Sequence, residues 1–430
     1  MEKEKFIKST IILIIGGFIT KILGMVIRIV TTRFVGDEGI GLYMLVMPTF
    51  LLFITLAQLG FPIAISKLVS EGTKNNKKLV LSIIPIAFIF NLFLIIIVIL
   101  MAPFLSKVLL HDERTLYPLI AISLVLPFIS ISSVIRGYFF GKEKMFPHTV
   151  SNVFEQIIRL IIIIILVPIL IKHSLISAIV GIILVNIVSE IVSIIILLLF
   201  LPRKLNIKIT DFVPKKSILK EVFNIGIPTT GSRLIGSLGY FLEPILLTHA
   251  LLYIGYTNHY IVSEYGVISG YVFPLLLLPG FFSQAIASAL LPVTSNNYVK
   301  GNKKYVIKKI KQGVLFSLMI GVIFSIVLFI KPELFLRLLY NTSKGLEYIR
   351  ILIPVFLLYY IQVPLTSSLQ AIGKAKSAMI GTLYGMIVKT ILIFVLSLLK
   401  IGMYGFVIAT SLNIIIVTIN HYLKLKKALH

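Results

Sequence analysis

The chain has 430 residues, of which 58% are hydrophobic and 13% charged, with a mean hydropathy of +1.05; soluble domains are about 45–50% apolar, so the composition excludes a soluble globular fold and implies a polytopic membrane protein. Lys and Arg number 41 against 16 Asp and Glu, a formal net charge of +25. In a soluble protein that excess would point to nucleic acid, but here the cations gather in alternate short loops and at the termini, which is the pattern of membrane topology. Cysteine is absent, which excludes disulfides, thiolate nucleophiles and Cys-ligated metal.

Lys3, Lys5 and Lys8 mimic the basic start of a signal peptide, yet the apolar run behind them is too long for one and reads as a retained span. A hydrocarbon core of about 30 Å takes about 20 helical residues. On that ruler twelve transmembrane helices are expected, near 8–33, 40–66, 79–105, 116–140, 147–171 and 174–200, then 218–248, 264–294, 306–331, 348–372, 377–399 and 402–423. One set of loops carries Lys67, Lys74, Lys77 and Lys78, then Arg136, Lys142 and Lys144, then Arg203, Lys204, Lys208, Lys215, Lys216 and Lys220. The same side continues with Lys300, Lys303, Lys304, Lys308, Lys309, Lys311, Lys374 and Lys376. Short basic loops stay cytoplasmic, so both termini are expected in the cytoplasm and the chain in the cell membrane, with anionic lipids as partners of the basic loops.

The polar, proline-flanked interval 202–217 separates two halves that repeat one another. Thr20-Lys21-Ile22-Leu23-Gly24 returns as Ser232-Arg233-Leu234-Ile235-Gly236, Ile65-Ser66-Lys67-Leu68-Val69-Ser70 as Leu290-Leu291-Pro292-Val293-Thr294-Ser295, and Gly141-Lys142-Glu143-Lys144 as Gly373-Lys374-Ala375-Lys376. The matches keep their order, so residues 1–201 are read as an N-lobe of six helices, 202–217 as a basic linker and 218–430 as a C-lobe of six. Six spans precede the second copy, which makes the repeats parallel, an architecture found in secondary transporters. Proline interrupts the spans at Pro85, Pro127, Pro228, Pro274, Pro279, Pro354 and Pro364. Gly226-Ile227-Pro228, just before Arg233, is the expected hinge.

Eight charges fall inside spans: Lys21, Arg28, Glu155, Arg159, Glu190, Arg233, Glu243 and Lys389. A cation at the bilayer centre costs roughly 2.5–3.5 kcal/mol on insertion scales and must face protein or water, so each is a candidate site by default. Lys21, Arg159, Arg233 and Lys389 share one depth and suggest a central cationic cavity; a diphosphate is its natural ligand, because Arg offers paired donors and Lys a point charge to phosphate oxygens. Glu155 and Arg159 are spaced to pair along one helix face. Arg28 and Glu243 lie near span ends, within reach of the interface, and Arg28 is counted with the substrate-binding cations of the central cavity. Glu155, Glu190 and Glu243 are the alternatives for an ion, proton or pairing site.

No enzyme signature is present. The seven histidines show no paired metal-ligand spacing, no phosphate-cradling loop occurs, and the glycine-rich 36–41 stretch is a turn between helices. No cofactor, metal, nucleic-acid partner or obligatory oligomer is expected; membrane potential and a monovalent cation are the open energy sources.

The run Ile19-Thr20-Lys21-Ile22-Leu23-Gly24, then Gly36-Asp37-Glu38-Gly39-Ile40-Gly41-Leu42-Tyr43, then Leu59-Gly60-Phe61-Pro62-Ile63-Ala64-Ile65-Ser66-Lys67-Leu68-Val69-Ser70-Glu71, resembles the stage V sporulation protein B group. That group belongs to the polysaccharide-transporter branch of the multidrug/oligosaccharidyl-lipid/polysaccharide flippase superfamily. The resemblance implies an all-α fold like that of the multidrug and toxin extrusion (MATE) transporters, with two six-helix lobes in a V around a cavity. It also implies movement of lipid-linked saccharides such as peptidoglycan precursors for cell-wall, spore-cortex or surface-polysaccharide synthesis. Lys21 stands where the superfamily's lipid II flippases carry a cavity arginine, and Arg28 is one residue away from another such position. Those flippases have fourteen helices, so a lipid-tail groove built from two extra helices is not expected here. Three functions compete: a flippase for an undecaprenyl-diphosphate-linked saccharide, a multidrug/cation antiporter of the same superfamily, and a membrane enzyme acting on lipid-linked sugars. The absence of aspartate from the spans disfavours the second, and the short outer loops disfavour the third.

Overall fold

The computed structural model describes residues 2–72, 75–201 and 208–429. Lys74, Arg203, Lys204 and the 202–207 part of the expected linker lie outside them, as do the side chains of Lys3, Lys5 and Lys8. The described residues are helical throughout apart from turns. In order they form α1 (Glu2–Gln58), α2 (Phe61–Glu71), α3 (Asn76–Phe104), α4 (Leu116–Gly141), α5 (Met145–Leu170), α6 (Leu175–Leu199) and α7 (Lys216–Tyr253). There follow α8 (Asn258–Gly266), α9 (Phe273–Leu276), α10 (Gly280–Val299), α11 (Lys303–Ile330), α12 (Pro332–Tyr340), α13 (Leu346–Ala371), α14 (Ala375–Ser397) and α15 (Tyr404–Leu429).

Among the described residues, ten helices are long and apolar enough to cross a membrane, or eleven if the pair 258–276 and 280–299, bent by 50°, counts as one span. The expected number was twelve. The difference arises at the N-terminus, where the first two expected spans fall in one continuous helical stretch that is interrupted by non-helical dihedrals at Gly36 (φ 66°, ψ −169°). Arg28 donates to the Met44 sulfur at 3.1 Å. A straight helix would hold these residues about 24 Å apart, so α1 turns back sharply at Gly36, where a positive φ suits glycine.

The chain divides into two compact units, Met1–Phe241 and Leu242–His430, with α7 beginning in the first and ending in the second. In the first unit the α1–α2 junction is broken at Leu59 (φ 43°) and Gly60 (φ 64°). The break removes the in-helix donor from the Ala57 carbonyl, and two neighbouring helices replace it: the Asn91 amide of α3 donates at 3.1 Å and the Ser130 hydroxyl of α4 at 2.9 Å. That exchange is what a broken helix in hydrocarbon requires. Gly60 also lets α7 in, because a Cβ there would lie 2.4 Å from the Gly226 carbonyl oxygen. Phe61, Ile65, Leu68 and Val69 of α2 then bury against Leu79 and Ile83 of α3 and Ile218 and Val222 of α7. Asp211 pairs with Lys77 at 2.5 Å, tying the described part of the basic linker to the start of α3.

The second unit handles its own break in the same way. Around Leu277–Pro279 the Leu276 carbonyl loses its helical donor, and the buried Tyr360 hydroxyl of α13 donates to it at 2.7 Å. The buried stripe Gly313, Ser317, Gly321 and Ser325 on α11 faces inward. A Cβ on Gly321 would reach 2.3 Å from the Tyr360 ring, so small residues set the helix spacing, as they do in membrane interiors.

Candidate functional site

Arg159 lies one helical turn beyond Glu155 on α5, and its guanidinium donates to Glu155 Oε1 at 2.7 Å. The sequence spacing foretold that contact. It does not foretell the part played by Arg136, which falls near the end of the expected span 116–140 and counts there with the basic residues of the following loop, but which α4 (Leu116–Gly141) turns toward α5 and α6. Arg136 donates to Glu155 Oε2 at 2.6 Å and to the Ser193 hydroxyl of α6 at 2.8 Å, and it stands 3.5 Å from Glu190 Oε2. Arg159 reaches Ser189 of α6 at 3.3 Å. Two guanidiniums and two carboxylates from three helices thus neutralise one another; Glu155 is 6% exposed and Glu190 5%. Charge-assisted bonds of this length are strong, and the site is dry enough that each partner depends on the other. Glu190 is the less satisfied carboxylate, for its Oε2 has no hydrogen bond.

In the second unit Lys389 of α14 meets Glu243 of α7 at 2.5 Å, with the ammonium 5.2 Å from the centre of the Phe406 ring. Glu243, expected near an interface, is buried. Arg159 and Lys389 were both expected to face a central cavity as cations; each has a carboxylate partner instead. The reason is that a buried cation and a carboxylate cost less together in hydrocarbon than apart, whether on one helix, as Glu155 and Arg159, or on two, as Glu243 and Lys389.

Lys21 and Arg233 are different. Both lie on exposed faces, Lys21 on α1 beside exposed Phe18, Ile19 and Ile22, and Arg233 on α7 beside exposed Ser232 and Ile235. Arg233 donates to Gln58 Oε1 at 2.9 Å, immediately before the α1–α2 break. Arg28 is half-buried against Met44. Around Pro228 the α7 helix is continuous. The hydroxyls of Thr229, Thr230 and Ser232 bond back to the carbonyls of Ile225, Gly226 and Pro228 at 2.7, 2.8 and 3.0 Å, a cluster of the kind that bends helices. Among the described residues no group of three or more His, Asp or Glu side chains is arranged to hold a metal ion.

Comparison with known proteins agrees with this architecture. The family model described as polysaccharide biosynthesis protein matches residues 6–298, and the MatE model matches residues 255–395. Stage V sporulation protein B of Bacillus subtilis (strain 168) is 36% identical over the whole chain and 85% of its own length. The lipid II flippase MurJ of the same organism is 23% identical over 99% of the chain and 83% of its length. Among solved structures, the inward closed conformation of lipid II flippase MurJ superposes with a TM-score of 0.74 at 18% identity, covering 96% of this chain and 88% of that one. An inward-facing multidrug resistance MATE family transporter gives 0.73 at 18%, covering 95% and 94%. At these identities the structures speak for the fold alone. The chain is a multi-pass membrane transporter of the polysaccharide biosynthesis protein family, a homologue of stage V sporulation protein B within the multidrug/oligosaccharidyl-lipid/polysaccharide flippase superfamily.

Proposed function

We propose that this transporter flips an undecaprenyl-diphosphate-linked oligosaccharide or peptidoglycan precursor across the cytoplasmic membrane, for cell-wall, spore-cortex or surface-polysaccharide synthesis. The observation that carries this reading is the contrast between two kinds of embedded charge. The carboxylates Glu155 and Glu243, which an antiporter would use to hold its cation, are occupied by Arg136, Arg159 and Lys389. Lys21 and Arg233 instead lie on exposed faces. In this reading they bind the diphosphate, with Lys21 acting as a point charge and Arg233 through its planar fork. Arg28 belongs to the same cationic surface, while Arg159 and Lys389 act through their partners to position helices.

Twelve spans result when α1 is divided at Gly36 and the bent pair 258–276 and 280–299 is taken as one; both termini are cytoplasmic, and 1–201 and 218–430 are lobes joined by the 202–217 linker. Each unit having one broken helix with its freed carbonyl met by a neighbour supports the internal repeat. Pro228, amid back-bonded hydroxyls, is the hinge of α7. The names of two relatives, a sporulation protein and a lipid II flippase, support the substrate class. A second reading, cation-coupled multidrug export, is favoured by one feature only, the buried Glu190 oxygen that lacks a hydrogen bond. The two separate in liposomes containing the purified chain: the proposal expects leaflet exchange of a fluorescent lipid-diphosphate saccharide without an imposed cation gradient. Gradient-driven uptake of a cationic dye with no exchange of the lipid contradicts it.

A further inference from the structure

A cavity of about 670 Å³ opens between α11, α13 and α15 in the second unit, within the roughly 300–1,000 Å³ of small-molecule sites. Its walls are apolar, with Val314 and Leu318 on α11 and the Tyr422 ring and Thr418 on α15, and two cations, Lys311 and Lys426, line it toward the end marked by Ile307 and Leu429. Lys311 lies near the start of α11 and Lys426 near the end of α15, so both mark the same membrane face. From the lysines to Leu318 and Thr418 the groove climbs about 10–12 Å at the helical rise. That is close to half of a hydrocarbon core of about 30 Å.

The lysines have no carboxylate to meet on their own helices. The chain holds no Asp or Glu between Glu264 and Glu333, and none after Glu347. The four carboxylates of the second unit are engaged elsewhere: Glu243 with Lys389, Glu264 with Tyr348, Glu333 with Arg337 and Glu347 with Tyr404. On the same ends of the two helices, Lys303, Lys304, Lys308 and Lys309 of α11 and Lys424 and Lys427 of α15 add only positive charge. An apolar slot about one leaflet deep, lined toward its mouth by two cations that none of the second unit's described carboxylates meets, is complementary to one kind of molecule.

We infer that this groove binds an anionic glycerophospholipid from the leaflet that meets the basic ends of α11 and α15, with an acyl chain between the helices and the phosphate against Lys311 and Lys426. A polyisoprenyl carrier is several times longer than the groove is deep, so the occupant is a resident membrane lipid and the site is separate from the one proposed for substrate at Lys21 and Arg233. Thr418 at the deep end bonds to Gln362 Oε1 at 3.3 Å and to the Leu358 carbonyl at 3.4 Å. A bound chain therefore rests on the α13–α15 contact and steadies it.

The chain has no tryptophan, so one introduced at Leu318 reports the groove alone. The Leu318→Trp protein is reconstituted in phosphatidylcholine with increasing phosphatidylglycerol whose acyl chains are brominated to quench fluorescence. Phe316→Trp, at similar depth on α11 but outside the groove, is the control, and Ile419→Trp is a second groove reporter should Leu318→Trp fail to fold. The groove reporters should be quenched at a phosphatidylglycerol fraction roughly tenfold to thirtyfold below the control, the factor for two lysines beside an anionic headgroup. Adding Lys311→Gln and Lys426→Gln should abolish the difference. Equal quenching at both sites overturns the proposal, and so does equal potency of brominated phosphatidylcholine or a preference that survives loss of both lysines. Relief of quenching by equimolar undecaprenyl diphosphate overturns it in favour of the substrate's own tail.

Discussion

Glu155 is where the fold of the first unit is most exposed to a single change. It accepts bonds from Arg159 at 2.7 Å and Arg136 at 2.6 Å while 6% exposed. Charge-assisted hydrogen bonds contribute about 1.5–3 kcal/mol each, so Glu155→Gln removes about 3–6 kcal/mol and leaves two guanidiniums facing one carboxylate. Taking Arg159 away as well restores the balance, because Arg136 and Glu190 then remain as one cation and one anion, already 3.5 Å apart. The double variant Glu155→Gln/Arg159→Gln should therefore be less damaged than the sum of the singles, by about 1–3 kcal/mol, within the usual range for residues of one network. Reversible unfolding in mixed micelles, followed by far-UV circular dichroism across the four proteins of the cycle, measures it. Additivity to within about 0.5 kcal/mol would refute the network and make Glu155 an independent ion or proton site.

Gly226→Ala places a Cβ 2.5 Å from the Leu59 carbonyl oxygen and should destabilise the chain by more than about 1 kcal/mol, whereas Gly231→Ala, with open space around its Cβ, should be neutral or stabilising; thermal melts of the two variants decide. Asn91→Leu leaves the Ala57 carbonyl with Ser130 as its remaining donor among the described contacts and should cost about 1–3 kcal/mol in the same melts. Lys389→Met strands a buried Glu243 and should cost about 3–5 kcal/mol, while Lys389→Met/Glu243→Met should recover most of that, which unfolding in micelles would show. For topology, single cysteines at Thr257 and Ser343 should react with an impermeant thiol reagent on intact cells and those at Asn76, Asp211 and Asn302 should not; outside labelling at Asp211 would break the parallel repeat.

Hydropathy made the positions of the helices legible. The expected spans 147–171 and 174–200 correspond to Met145–Leu170 and Leu175–Leu199, because a lipid-facing helix must be apolar over its whole length. The Glu155–Arg159 pair was legible too, since both residues lie on one helix and the spacing fixes the contact. Contacts between helices were not. Glu243 and Lys389 lie far apart in the chain, and nothing in either segment names the other. Arg136 looked like one of many loop cations; its only local sign was the company of Ser132, Ser133 and Gly137, small residues that mark a packed face. The break at Leu59–Gly60 was half-visible in Gly60-Phe61-Pro62, but a leucine at positive φ depends on what packs around it, here the backbone of Gly226. Arg28, read as reaching the interface, lies beside Met44 because α1 folds back at Gly36.

Lys21 and Arg233 are the proposed ligands of the substrate's diphosphate. Loss of either should remove one or more charge-assisted bonds of about 1.5–3 kcal/mol, roughly tenfold to a hundredfold in affinity. Lys21→Arg keeps the charge and should retain partial activity. The most direct measurement is the rate at which proteoliposomes move a fluorescent lipid-diphosphate saccharide between leaflets, compared for the parent, Lys21→Gln and Arg233→Gln at equal reconstituted protein. Both Gln variants should insert and fold normally, since neutral residues are cheaper than cations in the membrane, yet fail to flip; flipping by both at the parental rate would contradict the cationic-site mechanism.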